Sequence, residues 1–330
     1  MEEKLTINDI AKMAGVAKST VSRYLNGGSV RESTAQKIKS IIDEHHYEPN
    51  LFARLSAKNS QIIGLIVSGF NSVTTPRVVE VIVAELKING YTPLIMHTNN
   101  DREEEIKSII RLNNMNVDGI MIISAGISKR HIEVINNINI PILFIGQRHN
   151  DAHVIIDDNE GAGYAMGEYI AQQNLKNILL LWVDENDNAV GVERKQGILN
   201  SLHKHRITNI NTAITTFFYQ DTIVTLENYL KEHPIPEAIL CATDRIAYAA
   251  YKVLSSKGIQ IGKDISITVF GDYETSEILN PPLTTIKFDW NDLGTISTET
   301  MIKMIQGIEV SNCIIIPFEI KKRESVVESF

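Results

Sequence analysis

The chain has 330 residues, a formal net charge of −8, 43% hydrophobic residues and two cysteines. That length supports two or three domains with sizeable cores. Cys241 and Cys313 each sit in an apolar run, which excludes a disulfide-stapled scaffold and predicts free thiols in a reducing cytosol.

No apolar run reaches the length of a membrane span, and the opening MEEKLTIND has no apolar signal core. A cytoplasmic location is therefore expected, with no membrane partner. The charge is unevenly spread. Residues 1–61 hold nine Lys/Arg against seven Asp/Glu, so the acidic excess belongs to the remainder. A slightly basic head on an acidic body suits a polyanion-binding module joined to something else.

Residues 5–48 read as helices only. Ile7, Ile10, Ala11 and Ala14 recur at helical spacing, as do Val21 and Leu25, then Ile38, Ile41 and Ile42. Thr6 with Asp9 three residues later is a capping-box start. Within DIAKMAGVAKSTVSRYLN (9–26), Gly15 separates two short helical runs. The second has no acidic residue and carries Lys18, Ser19, Thr20, Ser22 and Arg23. Lys18, Ser19 and Arg23 can donate to base edges, and Thr20 and Ser22 can bond phosphate oxygens. The arrangement fits a helix-turn-helix whose second helix enters a major groove. A plain helical hairpin with a solvated face is the alternative.

Pro49 breaks the helical pattern, and PNLFARLSAKNS (49–60) reads as a connector. Short apolar runs then alternate with amphipathic stretches. They are 62–67, 92–98, 119–124, 141–146, 153–156, 177–183, 238–243, 266–270 and 284–288. Near-continuous apolar strands alternating with helices mean buried parallel sheet with helices on both faces. There are too many strands for one small sheet, so two doubly wound subdomains are expected.

The head resembles the DNA-binding domain of the LacI/GalR family of bacterial transcription regulators. The residues that carry this are Thr6, Asp9, Ala11, Ala14-Gly15-Val16, Thr20-Val21-Ser22-Arg23, Leu25-Asn26 and Tyr47-x-Pro49-Asn50. The resemblance implies a recognition helix at 18–26, a third helix near 33–45 and a hinge after Pro49. It adds Thr6, Asn26, Asn50, Ala53 and Leu55 to the DNA-contacting set. Three features depart from the family pattern. Ala17 stands where a capping Ser is usual. Arg31 replaces another Ser, which predicts a third helix starting nearer Ser33. The hinge is one residue short, so either Leu55 or Ser56 occupies the position that wedges into the minor groove.

The body resembles the periplasmic sugar-binding proteins to about residue 323. Matching stretches include Val117-Asp118-Gly119-Ile120, Asp158-Asn159-x-x-Gly161-Ala162, Arg194-x-x-Gly197, Thr243-Asp244-x-x-Ala247, Gly271-Asp272 and Pro281-Pro282-Leu283-Thr284-Thr285-Ile286. The implied fold class is α/β. An all-α helix-turn-helix head (1–48) and a hinge (49–60) precede two doubly wound subdomains of periplasmic-binding-protein type. Subdomain 1 is expected at about 61–158 and 290–318, and subdomain 2 at about 159–289 and 319–330.

Loops at the carboxyl ends of parallel strands converge on a crevice where ligands bind. Arg194 offers a planar fork of donors, Asp272 can accept from two hydroxyls, and Trp290 can present a flat face to a sugar ring. Asp244 is expected to join the effector-contacting set. Alternatively, Arg194 and Asp272 pair with each other, Trp290 is core, and Asp244 caps its helix. Phe70, Ser72 and Thr75, with Asn71, are expected on the opposite wall, and Gln147 joins them. The loop at 68–77 and FIGQR (144–148) look most like the branch that regulates sucrose or related oligosaccharide operons.

The resulting expectation is a dimeric repressor that binds double-stranded operator DNA and a sugar effector. An α/β enzyme is the first alternative. Yet the chain has no GxGxxG after a strand, no Walker A run, no nucleophile elbow and no metal-spaced His/Cys/Asp set, so neither cofactor nor metal is expected. The second alternative keeps the DNA head but makes the effector a phosphosugar or a protein. Arg77 and Arg148 are the cations a phosphate would use.

Overall fold

The computed structural model describes residues 5–25, 28–45, 47, 59–70, 72–124 and 126–327. The expectations for Asn26, Asn50, Ala53, Leu55, Ser56 and Asn71 lie outside the described residues.

The head is three helices, α1 (Ile7–Ala14), α2 (Lys18–Leu25) and α3 (Glu32–Glu44). Thr6 caps α1, donating its hydroxyl to Asp9 Oδ2 at 2.6 Å and its N–H to the same oxygen at 2.9 Å. Gly15 ends α1 in the left-handed region, with φ 65°. Only glycine adopts this without strain, and the bend redirects the chain into α2. Ile10, Ala11, Ala14, Val21 and Ile38 form one small core, so the helical periodicity read from sequence is the packing face. The third helix starts at Glu32, next to the expected Ser33. Arg31 occupies the cap position with its carbonyl alone, accepting from the N–H groups of Thr34 and Ala35.

The body follows in strict alternation. Its elements are β1 (Ile62–Val67), α4 (Thr74–Ile88), β2 (Thr92–His97), α5 (Arg102–Asn114), β3 (Gly119–Ile123), α6 (Lys129–Ile135), β4 (Ile142–Ile145) and β5 (His153–Asp157). After them come α7 (Asn159–Gln172), β6 (Ile178–Trp182), a π-helical segment (Asn188–Arg194), α8 (Lys195–Lys204), β7 (Ile210–Ile214), α9 (Tyr219–Glu232), β8 (Ala238–Cys241), α10 (Asp244–Ser256), β9 (Ser266–Gly271), α11 (Glu274–Ile278) and β10 (Thr284–Phe288). The chain closes with α12 (Trp290–Ile305), β11 (Cys313–Ile316) and β12 (Phe318–Lys321).

These strands form two six-stranded sheets, ordered β11-β5-β4-β3-β1-β2 and β12-β10-β9-β8-β6-β7. All pairings are parallel except β10 with β12. The chain therefore passes between the lobes three times: from β5 to α7, from β10 to α12 and from β11 to β12. Helix α12 rejoins lobe 1, where Leu293 and Met301 share a core with Val78, Ile82 and Leu86 of α4.

Three strands were not anticipated from the sequence: β7, β11 and β12. All three are sheet edges. An edge strand is half-solvated, so INTAI and FEIK lack the continuous apolar run that marks a central parallel strand.

Where the chain enters lobe 1, one carboxylate fixes its path. Asp118 accepts from Ser60 N–H at 2.7 Å, Ser60 Oγ at 2.9 Å and Gln61 N–H at 2.8 Å. Ser60 is fully buried. Removing the carboxylate strands buried donors, so Asp118→Ala should lower unfolding stability by about 2–3 kcal/mol. Urea denaturation checks this, with Asp118→Asn expected to recover part of the loss.

Candidate functional site: a helix-turn-helix head and an interlobe cleft

On the head, Lys18, Ser19 and Arg23 are exposed along α2, while Thr20 and Ser22 are half-buried. Val21 is the fully buried residue that seats the helix on its neighbours. The cationic and hydroxyl side chains therefore share the face left open to solvent. Ala17 offers no side-chain cap. Its carbonyl accepts from Thr20 N–H at 2.9 Å and Val21 N–H at 3.4 Å. Thr6 is exposed at the start of α1, but its hydroxyl is committed to Asp9.

In the body, Arg194 forms the floor of lobe 2. The π-helical turn delivers it at the junction with α8. Its Nη1 donates to the Ala242 carbonyl at 2.7 Å, at the end of β8. Its Nε and Nη2 donate to Asn159 Oδ1 at 3.2 and 2.7 Å, at the start of α7. Its guanidinium centre lies 4.7 Å from the Phe270 ring centroid and 5.0 Å from that of Phe288. Burial pulls the guanidinium down to about 10, opposed chiefly by Asp187 and then by Asp157, so it remains a cation at neutral pH.

Asp272 does not join it. The turn at Gly271 (φ 148°) and Asp272 (φ 62°) leaves Asp272 Oδ1 2.8 Å from Arg323 Nη1. Neither the expected Arg194–Asp272 pair nor a free Asp272 carboxylate is present. The carboxylate beside the floor is Asp244. It is buried and accepts from Ser276 Oγ at 2.6 Å. It is the first residue of α10 rather than its cap, which is Thr243. A Cβ built on Gly271 would stand 1.8 Å from Asp244 Oδ2, so the glycine makes room for that carboxylate.

The walls carry the other expected residues. Gln147 is buried and donates through Nε2 to Asp187 Oδ1 at 3.2 Å. Phe70 is exposed, 5.5 Å from the His97 ring. Ser72 and Thr75 satisfy each other: Ser72 Oγ donates to Thr75 Oγ1 at 2.8 Å and accepts from Thr75 N–H at 3.0 Å. They shape the entry to α4, with Ser72 exposed and Thr75 half-buried. Trp290 is half-buried, packed against the lobe 1 core on one side and carrying the Arg77 guanidinium 4.5 Å from its centroid on another.

Several residues here escaped sequence reading. Phe270 and Phe288 end the apolar runs 266–270 and 284–288, Asn159 lies in a stretch that carries the family resemblance, and Asp187 has no distinguishing local pattern. Phe217, Phe218 and Tyr219 are exposed together beyond the carboxyl end of β7. Three successive aromatics before a helix were a signal, missed because the edge strand before them was missed.

Residues 61–324 match the family model for periplasmic binding proteins and the sugar-binding domain of the LacI family. Residues 6–50 match that for bacterial regulatory proteins of the lacI family. The chain belongs to the LacI family. It is 37% identical to the sucrose operon repressor of Staphylococcus xylosus, covering 95% of this chain and 98% of that one. It is 26% identical to catabolite control protein A of Staphylococcus epidermidis, covering 97% and 98%. A crystal structure of the Lac repressor dimer bound to operator and the anti-inducer ONPF superposes with a TM-score of 0.89 at 26% identity, covering 98% of this chain and all of that one. This LacI-family chain is thus a DNA-binding transcriptional repressor and not an enzyme. Among the described residues, no helix is long and apolar enough to cross a membrane.

The buried carboxylates of this LacI-family cleft set a pH dependence. Burial pushes Asp244 up to about 7 against the Ser276 hydroxyl and nearby backbone N–H groups. Burial pushes Asp157 up to about 6 against the charge of Arg194. The unfolded chain releases these protons near the ordinary carboxylate value of about 4. Between that value and the native one, the folded state binds more protons, so stability falls as pH rises and levels off above about 7. Asp244→Asn keeps the Ser276 contact and removes the titration. Melting temperatures across pH 6 to 8 should fall in the parent protein and fall less in the variant, where only the upper part of the Asp157 titration remains.

Proposed function

We propose that the chain represses a carbohydrate-utilisation operon in the cytoplasm and is released from its operator by a neutral sugar, sucrose or a related oligosaccharide. The observation that carries this is Arg194: a desolvated, stacked guanidinium where β8, β9 and β10 meet the start of α7, the chemistry that orients a polyol. The 37% identity to a sucrose operon repressor over nearly both chains supports the choice of sugar. In this reading Arg194, Asp244, Gln147, Phe70 and Trp290 line the effector cleft. The working division is a head at 1–48, a hinge at 49–60 and an effector-binding and dimerising body beyond. One short recognition helix per chain is too little for tight specific binding, which favours a homodimer on a near-palindromic site.

The phosphosugar alternative is less favoured. Arg77 reaches Glu274 at 2.5 Å and Arg148 lies 3.4 Å from Glu193, so both cations already face a carboxylate. A phosphate would have to displace one.

Two experiments test the reading. A thermal-shift series with sucrose, fructose, trehalose, maltose, raffinose and their phosphates should show stabilisation by an unphosphorylated sugar, about 2.7 kcal/mol at a hundredfold excess over Kd. Arg194→Met should lose that shift while still retarding operator DNA. A shift with phosphates alone would overturn the neutral-sugar assignment. On the DNA side, Arg23→Ala should cost about 1–3 kcal/mol on the operator and relax preference at one base pair. Equal losses on operator and random duplex, with a salt slope reduced by about 1, would make it a phosphate contact instead.

A further inference from the structure

The two lobes meet through the chain's own side chains on both sides of the cleft. On one side, Gln147 of lobe 1 donates to Asp187 of lobe 2, and Arg148 pairs with Glu193. On the other, α4 of lobe 1 faces the turn between β9 and α11 of lobe 2. There the Thr74 and Tyr273 hydroxyls hydrogen-bond each other. Arg77 Nη2 donates to Glu274 Oε1 at 2.6 Å and Oε2 at 2.5 Å. The Arg77 guanidinium also lies 5.3 Å from the Tyr273 centroid and 4.5 Å from that of Trp290.

Trp290 opens α12 directly after the β10 crossing. Arg77 therefore touches lobe 1, lobe 2 and the segment that joins them. We propose that Arg77 is an interlobe clasp, which holds the cleft walls together through the Glu274 carboxylate and the Trp290 and Tyr273 rings and so sets how often the cleft is in its binding-competent form.

An exposed ion pair alone contributes little. This one is reinforced by two aromatic faces, a planar cation and a neighbouring hydroxyl pair. Burial raises the Tyr273 phenol above its ordinary value, so it stays neutral and keeps its bond to Thr74. If the clasped form is the one that binds, loosening it reduces apparent affinity by the fraction of protein lost from that form. That consequence rests on the sugar-repressor reading; the clasp itself does not.

The test uses the full chain, first with no sugar added. Amide hydrogen exchange is followed in segments 74–78 and 272–279 for the parent protein, Arg77→Met, Glu274→Gln and the double variant. Each single change should speed exchange about fivefold or more in both segments, and the double variant should match the faster single within about twofold. Arg77→Lys keeps the charge but loses the planar stack, and should fall between parent and Arg77→Met. Unchanged exchange in 272–279 for Arg77→Met, or additive effects of the two substitutions, would overturn the clasp. Sucrose titration of the same proteins follows, with a threefold to tenfold weaker Kd expected for Arg77→Met. Failure of the parent protein to bind sucrose would count against the sugar and leave the exchange result to decide the clasp.

Discussion

A single buried cation organises the second lobe. Arg194 has no water to solvate it, so its donors must be met from within. Three of its five N–H groups are met by Ala242 at the end of β8 and Asn159 at the start of α7, while Phe270 of β9 and Phe288 of β10 close over its faces. The ends of separate strands are thereby held in one plane. The surrounding carboxylates follow from the same constraint. Asp157 and Asp187 favour the charged guanidinium, and Asp244 can occupy its buried place because position 271 carries no side chain.

The cleft above this floor is bounded by polar bridges and by the Tyr273 and Trp290 rings, whose centroids lie 6.5 Å apart. Arg77, Gln147 and Arg148 extend from lobe 1 to carboxylates of lobe 2. Apolar contact would seal the lobes permanently, whereas ion pairs and single hydrogen bonds exchange with water at small net cost. A sugar hydroxyl offers the same kind of bond. The architecture thus suits a cleft whose walls separate and rejoin, and two-state elements of this kind are what a ligand can bias.

Asp118 links that motion to the head. By holding Ser60 and Gln61 to the start of β3, it makes the point where the chain enters lobe 1 part of the rigid lobe. Lobe 1 also contains α4, whose Arg77 and Thr74 meet lobe 2, so one rigid body carries both the cleft wall and the root of the connector.

The sequence by itself determined the elements whose burial is complete on one face or both. Head helices α1–α3 and the central strands β1, β3, β4, β6, β8, β9 and β10 were legible because burial imposes an apolar period or run on the residues themselves. The helix-turn-helix was legible for the same reason, together with the absence of acid along α2. Only the tertiary structure decided the edge strands β7 and β12, whose INTAI and FEIK water relieves of a strict pattern, and the place of the apolar CIII of β11 at a sheet edge. It also decided the partners of the cleft's charged groups. Asp272 and Arg323 are far apart in the chain, as are Arg194 and Phe288 or Arg77 and Glu274. Nothing in the local pattern of a charged residue records which distant strand end will neutralise it.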